Sequence, residues 1–221
     1  MNSELTRGDD TRSEIAAVAA RLIAEDGADW GAARQQAAHI VLGPGAERRG
    51  QLPSNDEIET ALRSHLRTFA ADTHPQLLAG LRWLAAAVME RLASFDLQLV
   101  GGVLNGTATE HSDLHFHVFA DSAKELEVAL MDAGIDFDAH PPESGEGPEA
   151  EEVIAFVLPV PREAGLPPRM RSIGVAISVF DERAARVAPR YRSKDPGLHP
   201  VEASGRADRA ALRRLIEESQ L

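Results

Sequence analysis

Near residue 95 the apolar residues change their period, and this switch decides what kinds of fold remain open. Up to that point they recur at helical spacing. Residues 14–25 place Ile15, Val18, Ala19, Leu22 and Ile23 on one face. Residues 30–42 continue in a second helical run, stopped by Gly43-Pro44-Gly45. Ser54-Asn55-Asp56-Glu57 has the form of a capping box, in which hydroxyl and carboxylate each satisfy a free backbone N–H. Behind it Ile58, Leu62, Leu66 and Phe69 make an apolar stripe. A further helix over 75–94 would bury Leu77, Leu78, Leu81, Leu84, Val88 and Leu92.

After the switch, strand signals dominate. Residues 97–104 are β-rich and end in glycines, and 113–120 alternate with a period of two. Ser122-Ala123-Lys124-Glu125 opens a capped helix that ends before Gly134. Residues 135–139 read as a short strand, and 141–152 as an acidic loop rich in Pro and Gly. Residues 153–160 and 173–180 are two more strands, and 206–218 a last helix. Helices followed by β-β-α-β-β predict an α+β protein, with a mixed β-sheet flanked by helices and an N-terminal helical region. The expected division is 1–94 helical, 95–185 sheet domain, and 186–221 a C-terminal basic segment and helix.

Composition removes several classes of function. There is no Cys among 221 residues, so disulfides, thiolate zinc sites and Cys nucleophiles are out. No stretch is apolar enough to span a bilayer, and the polar start MNSELTRGDDTRSE has no apolar signal core, so a cytoplasmic chain away from membranes is expected. The formal charge of −12 argues against general nucleic-acid binding. The exception is residues 162–214, with 12 Lys/Arg against 6 Asp/Glu. Within it Arg186, Arg190, Arg192 and Lys194, with Tyr191 between them, make a run suited to a phosphate or an RNA end. Neither a P-loop nor a Gly-x-Ser-x-Gly elbow is present.

The chemical information lies in Gly101-Gly102-Val103-Leu104-Asn105-Gly106-Thr107 and Ser112-Asp113-Leu114-His115-Phe116-His117. A glycine-rich turn lets backbone N–H groups approach phosphates. Alternate strand residues face one way, about 7 Å apart, so two carboxylates at that spacing can converge on metal ions. The two segments resemble the signature of the nucleotidyltransferase superfamily, with its DNA polymerase β-like fold. The resemblance covers about residues 95–185, and Gly101, Gly106, Ser112 and Asp113 match its spacing. It implies a nucleoside triphosphate held by Gly101, Gly102, Asn105, Gly106, Thr107 and Ser112, with Mg2+ at Asp113. It further implies transfer of a nucleotidyl group to a hydroxyl acceptor, with Asp113 and His115 at the catalytic positions.

The chain departs from that pattern in three places and so resembles a degenerate member. Gly102 replaces a Ser, His115 replaces the second Asp, and the inward positions of the third strand, Ala176 and Ser178, are not acidic. Neutral imidazole is a poor ligand for Mg2+. Loss of a general base alone slows such chemistry by about 10²–10⁴-fold. Two alternatives follow. One is a non-catalytic binding module acting through a nucleotide, or through a protein partner on the N-terminal helices. The other is a Zn2+ or Mn2+ site made by Asp113, His115 and His117, with His111 just before them.

Overall fold

A computed structural model describes residues 2–43, 52–142, 150–186, 193 and 195–219. The chain forms two compact units, one made of residues 1–75 with 109–111, the other of 76–108 with 112–221.

The helical unit contains α1 (Asn2–Asp26), α2 (Trp30–Leu42) and α3 (Asn55–Phe69). Its core joins Ile15, Leu22, Ile58 and Leu62 with a set of alanines that includes Ala19, Ala33 and Ala37. These small side chains let the helices approach closely. The capping box forms as expected: Glu57 N–H donates to Ser54 Oγ at 3.3 Å, and Ser54 N–H donates to Glu57 Oε2 at 2.7 Å. Phe69 departs from its expected place in the stripe. It is 76% exposed and packs on His65 with ring centroids 4.7 Å apart.

The sheet unit takes in most of α4 (His74–Arg91), because the division falls after Pro75 and not near residue 94. Leu81, Leu84 and Val88 of this helix belong to the core of the sheet. The strands are β1 (Gln98–Val100), β2 (Leu114–Phe119), β3 (Phe137–His140), β4 (Glu152–Pro159) and β5 (Ser172–Phe180). They lie in the order β1-β2-β5-β4-β3. β2 and β5 run parallel and every other pair is antiparallel, so the sheet is mixed.

Two further helices lie beyond the short α5 (Gly101–Asn105): α6 (Lys124–Asp132) and α7 (Arg209–Glu218). Leu126 and Leu130 of α6 and Leu212 and Leu215 of α7 join one cluster with Leu99, Phe116, Ile154 and Ile177 of the sheet. Burying a side chain such as Phe116 completely stabilises the fold by about 2–3 kcal/mol. Two local expectations are corrected. The β-rich run 97–104 is a strand only to Val100 and then coils into α5, because Gly101 takes φ +71° and turns the chain. The cap expected at Ser122 does not form: Ala123 is the N-cap, without a side-chain cap hydrogen bond, and Ser122 Oγ accepts from Lys124 N–H.

Candidate functional site

The alternation of β2 and β5 sorts their residues between two faces of the sheet. On β2, Leu114, Phe116 and Val118 are buried, whereas His115 is exposed and His117 and Phe119 are half-buried. On β5, Val175, Ile177 and Val179 are buried and Gly174, Ala176 and Ser178 are half-buried. The parallel register sets His115 opposite Ala176 and His117 opposite Ser178. Asp113, one residue before β2, is exposed and lies against Gly174. A Cβ added at Gly174 would come within 2.4 Å of Asp113 Oδ1, so a side chain at 174 would make the exposed carboxylate swing aside.

The glycine bend reaches the same strand from the other side. Val100, the last residue of β1, pairs with His115. Gly101 follows at once, and a Cβ there would lie 3.8 Å from His115 Cβ and Cδ2. The glycine segment and the acid-bearing strand are therefore immediate neighbours. Gly102 has a packing reason. Its carbonyl accepts from the N–H groups of Gly106, Thr107 and Ala108 at 3.0, 2.9 and 3.0 Å. A Cβ would meet Ala108 N at 3.2 Å, which disfavours the Ser that the resembling pattern has at this place. Gly106 ends α5 in the left-handed conformation with φ +81°.

Asn105 and Thr107 are engaged with one another: Thr107 N–H and Oγ1–H both donate to Asn105 Oδ1, at 3.1 and 2.7 Å. Thr107 is also buried. The polar groups expected to meet a nucleotide here close a turn instead. Ser112 is half-buried and engaged as well. Ser112 and Asp113 belong to the sheet unit. His111 belongs to the helical unit, where it packs on Gly27, and so does not extend the row of strand histidines.

His117 sits in a largely apolar corner. Its ring lies 4.7 Å from Phe180, Phe180 stacks on Phe119 at 5.5 Å, and the Arg206 guanidinium stands 5.2 Å above Phe119. Among the described residues His117 Nδ1 is buried without a hydrogen-bond partner. Desolvation first, then Arg206 and His115, lowers its pKa to about 4, so the ring is neutral at pH 7. Although part of His115 reaches solvent, the ring is hemmed in enough that desolvation lowers its pKa as well, with Asp113 opposing. Residues 113 and 117 are four apart on an extended chain, about 13 Å between Cα atoms, so one ion cannot take both. Among the described residues no group of three or more His, Asp or Glu is arranged to hold a metal ion.

Two residues that shape the site were not flagged by the sequence. Arg82 on α4 is buried and donates to the carbonyls of Val103 and Leu104 at 3.1 and 2.9 Å. Its Nη2 also meets Glu202 Oε1 at 2.6 Å. Burial lowers its pKa, and the Glu202 carboxylate opposes that shift. This charge holds the C-terminal carbonyls of α5, and so the bend that follows β1. An Arg next to Leu81 in a helical pattern carries no mark of burial, because the period alone assigns it to the wet side. Gly174 had a weak signal, a glycine inside a strand pattern, which often marks a close approach. In the basic run, Arg190, Tyr191, Arg192 and Lys194 lie outside the described residues, as does the side chain of Arg186.

No protein-family model matches the chain, and neither does any curated protein or solved structure.

Proposed function

We propose that the sheet unit is a nucleotidyltransferase-like module that binds a nucleoside triphosphate beside Asp113 and has lost the capacity to transfer the nucleotidyl group. The observation that carries this reading is the register of three strands. The bend after β1 abuts His115, Asp113 stands at the start of β2, and β5 offers Ala176 and Ser178 where further acids would complete a metal site. A single carboxylate holds a hydrated divalent ion weakly, and the phosphates of a bound triphosphate would add the ligands it lacks. His115 and His117 add no negative charge, and the residues of β5 opposite them, Ala176 and Ser178, offer no carboxylate to take a proton from an incoming hydroxyl. What remains is a place where a metal–triphosphate complex docks against Asp113 through its own metal.

The reading predicts a thermal shift with Mg2+ or Mn2+ and a nucleoside triphosphate together, and little with either alone. Asp113→Ala removes that shift while leaving the melting temperature of the free protein within a few degrees, since Asp113 is exposed. No shift with any of the four common triphosphates, with either metal, would refute nucleotide binding. Steady incorporation of labelled nucleotide into any acceptor, lost in Asp113→Ala, would refute the loss of transfer.

A further inference from the structure

We infer that the Asn105-Gly106 peptide is a latent site of spontaneous deamidation, held closed by the hydrogen bonds of the bend and open to reaction only when the bend opens. The inference is independent of nucleotide binding. The chain has three Asn residues, at 2, 55 and 105, and only Asn105 is followed by glycine. A glycine nitrogen is the least shielded nucleophile of the backbone, and Asn is among the thermolabile residues. The fold itself demands this pair, because the residue after α5 takes φ +81°, which favours glycine.

The reaction needs no partner but water. Gly106 N attacks Asn105 Cγ, the Cγ–Nδ2 bond breaks, and ammonia leaves with the proton that Gly106 N gives up. Water then opens the five-membered imide. Breaking the bond from the nitrogen to Cγ leaves aspartate at position 105. Breaking the bond from the nitrogen to the main-chain carbonyl carbon leaves isoaspartate, which carries one more methylene in the main chain.

The folded bend blocks the first step. Asn105 is the last residue of α5, so its backbone is helical and Gly106 N–H points back to the Gly102 carbonyl, at 3.0 Å. The N–H groups of Thr107 and Ala108 converge on the same carbonyl at 2.9 and 3.0 Å. Asn105 Oδ1 is turned forward, to Thr107 N–H at 3.1 Å and Thr107 Oγ1–H at 2.7 Å. For the nitrogen to face Cγ, the peptide between 105 and 106 must rotate, and that breaks the bond to Gly102. Arg82 opposes the rotation, because it pins the Leu104 carbonyl at 2.9 Å and is itself held by Glu202 Oε1 at 2.6 Å. Reaction is therefore confined to opened molecules, whose share is set by the free energy of local opening. Isoaspartate would make the opening permanent, since the longer main chain no longer brings three N–H groups onto one carbonyl.

The test is peptide mapping by mass spectrometry of the full chain after incubation in mildly alkaline buffer, both folded and in urea above its unfolding transition. Asn105 should deamidate at least about tenfold more slowly in the folded chain. Arg82→Met should raise the folded rate at least about tenfold, and Glu202→Ala, which leaves both carbonyl bonds of Arg82 in place, at least about twofold. Glu202→Ala is the milder change and carries the test if Arg82→Met does not fold, which circular dichroism decides. Equal rates in the folded chain and in urea would overturn the inference. So would folded variants that react no faster than the native chain, or an Asn105 that stays intact in urea.

Discussion

Asp113 and Gly174 act as a pair: the carboxylate occupies the space that any side chain at 174 would fill. Asp113 stands out in the sequence because Ser-Asp follows a glycine segment at the spacing of the pattern it resembles. Its partner does not, because 61 residues separate them and only the parallel pairing of β2 and β5 brings them together. His117 was legible as a candidate ligand, but its surroundings were not. Phe180 and Arg206 reach it from distant parts of the chain.

Those surroundings give a pH dependence. The folded value near 4 lies below the ordinary 6.5, so as pH falls the unfolded chain takes up the proton first. The stability associated with neutral His117 is therefore present above about pH 6.5 and lost toward pH 4, by about 2–3 kcal/mol. Urea unfolding at pH 7 and pH 4.5 should show this loss in the native chain and a smaller one in His117→Gln. The residual slope in the variant comes in part from His115, whose shift has the same sign.

Among the elements, helices with a clean apolar stripe were read from the sequence with their main positions intact, as α3 and its capping box show. The failures are short-range competitions. A β-rich run became α5 once Gly101 turned the chain, and Ser122 lost its capping role to the particular way α6 begins. What stabilises α5 comes from elsewhere, since a helix of five residues does not stand alone. Arg82 and Glu202 hold its end in place. Replacing Arg82 by Met would leave the Glu202 carboxylate without its cation and two carbonyls without a donor. The expected loss is about 3–5 kcal/mol in chemical denaturation. A loss under 1 kcal/mol would mean that the bend holds itself.

For the whole molecule, the α+β class followed from the change of period near residue 95, and the sheet is mixed as that class allows. Its strand order was beyond the reach of local patterns. β5, last in the chain, inserts between β2 and β4 and gives the site its third wall. That insertion decides the functional reading, because it sets Ala176 rather than an acid opposite His115. Neighbouring strands lie about 4.8 Å apart and alternate residues about 7 Å, so acids at 113, 115 and 176 would converge on one ion. The most direct test is Mn2+ binding, followed by the electron paramagnetic resonance of the free ion, in the native chain and in His115→Asp/Ala176→Asp. The native chain should leave Mn2+ free at submillimolar concentration, and the double variant should bind it at least about tenfold more tightly. A correctly folded double variant that binds Mn2+ no better than the native chain would contradict a vestigial metal site on this face.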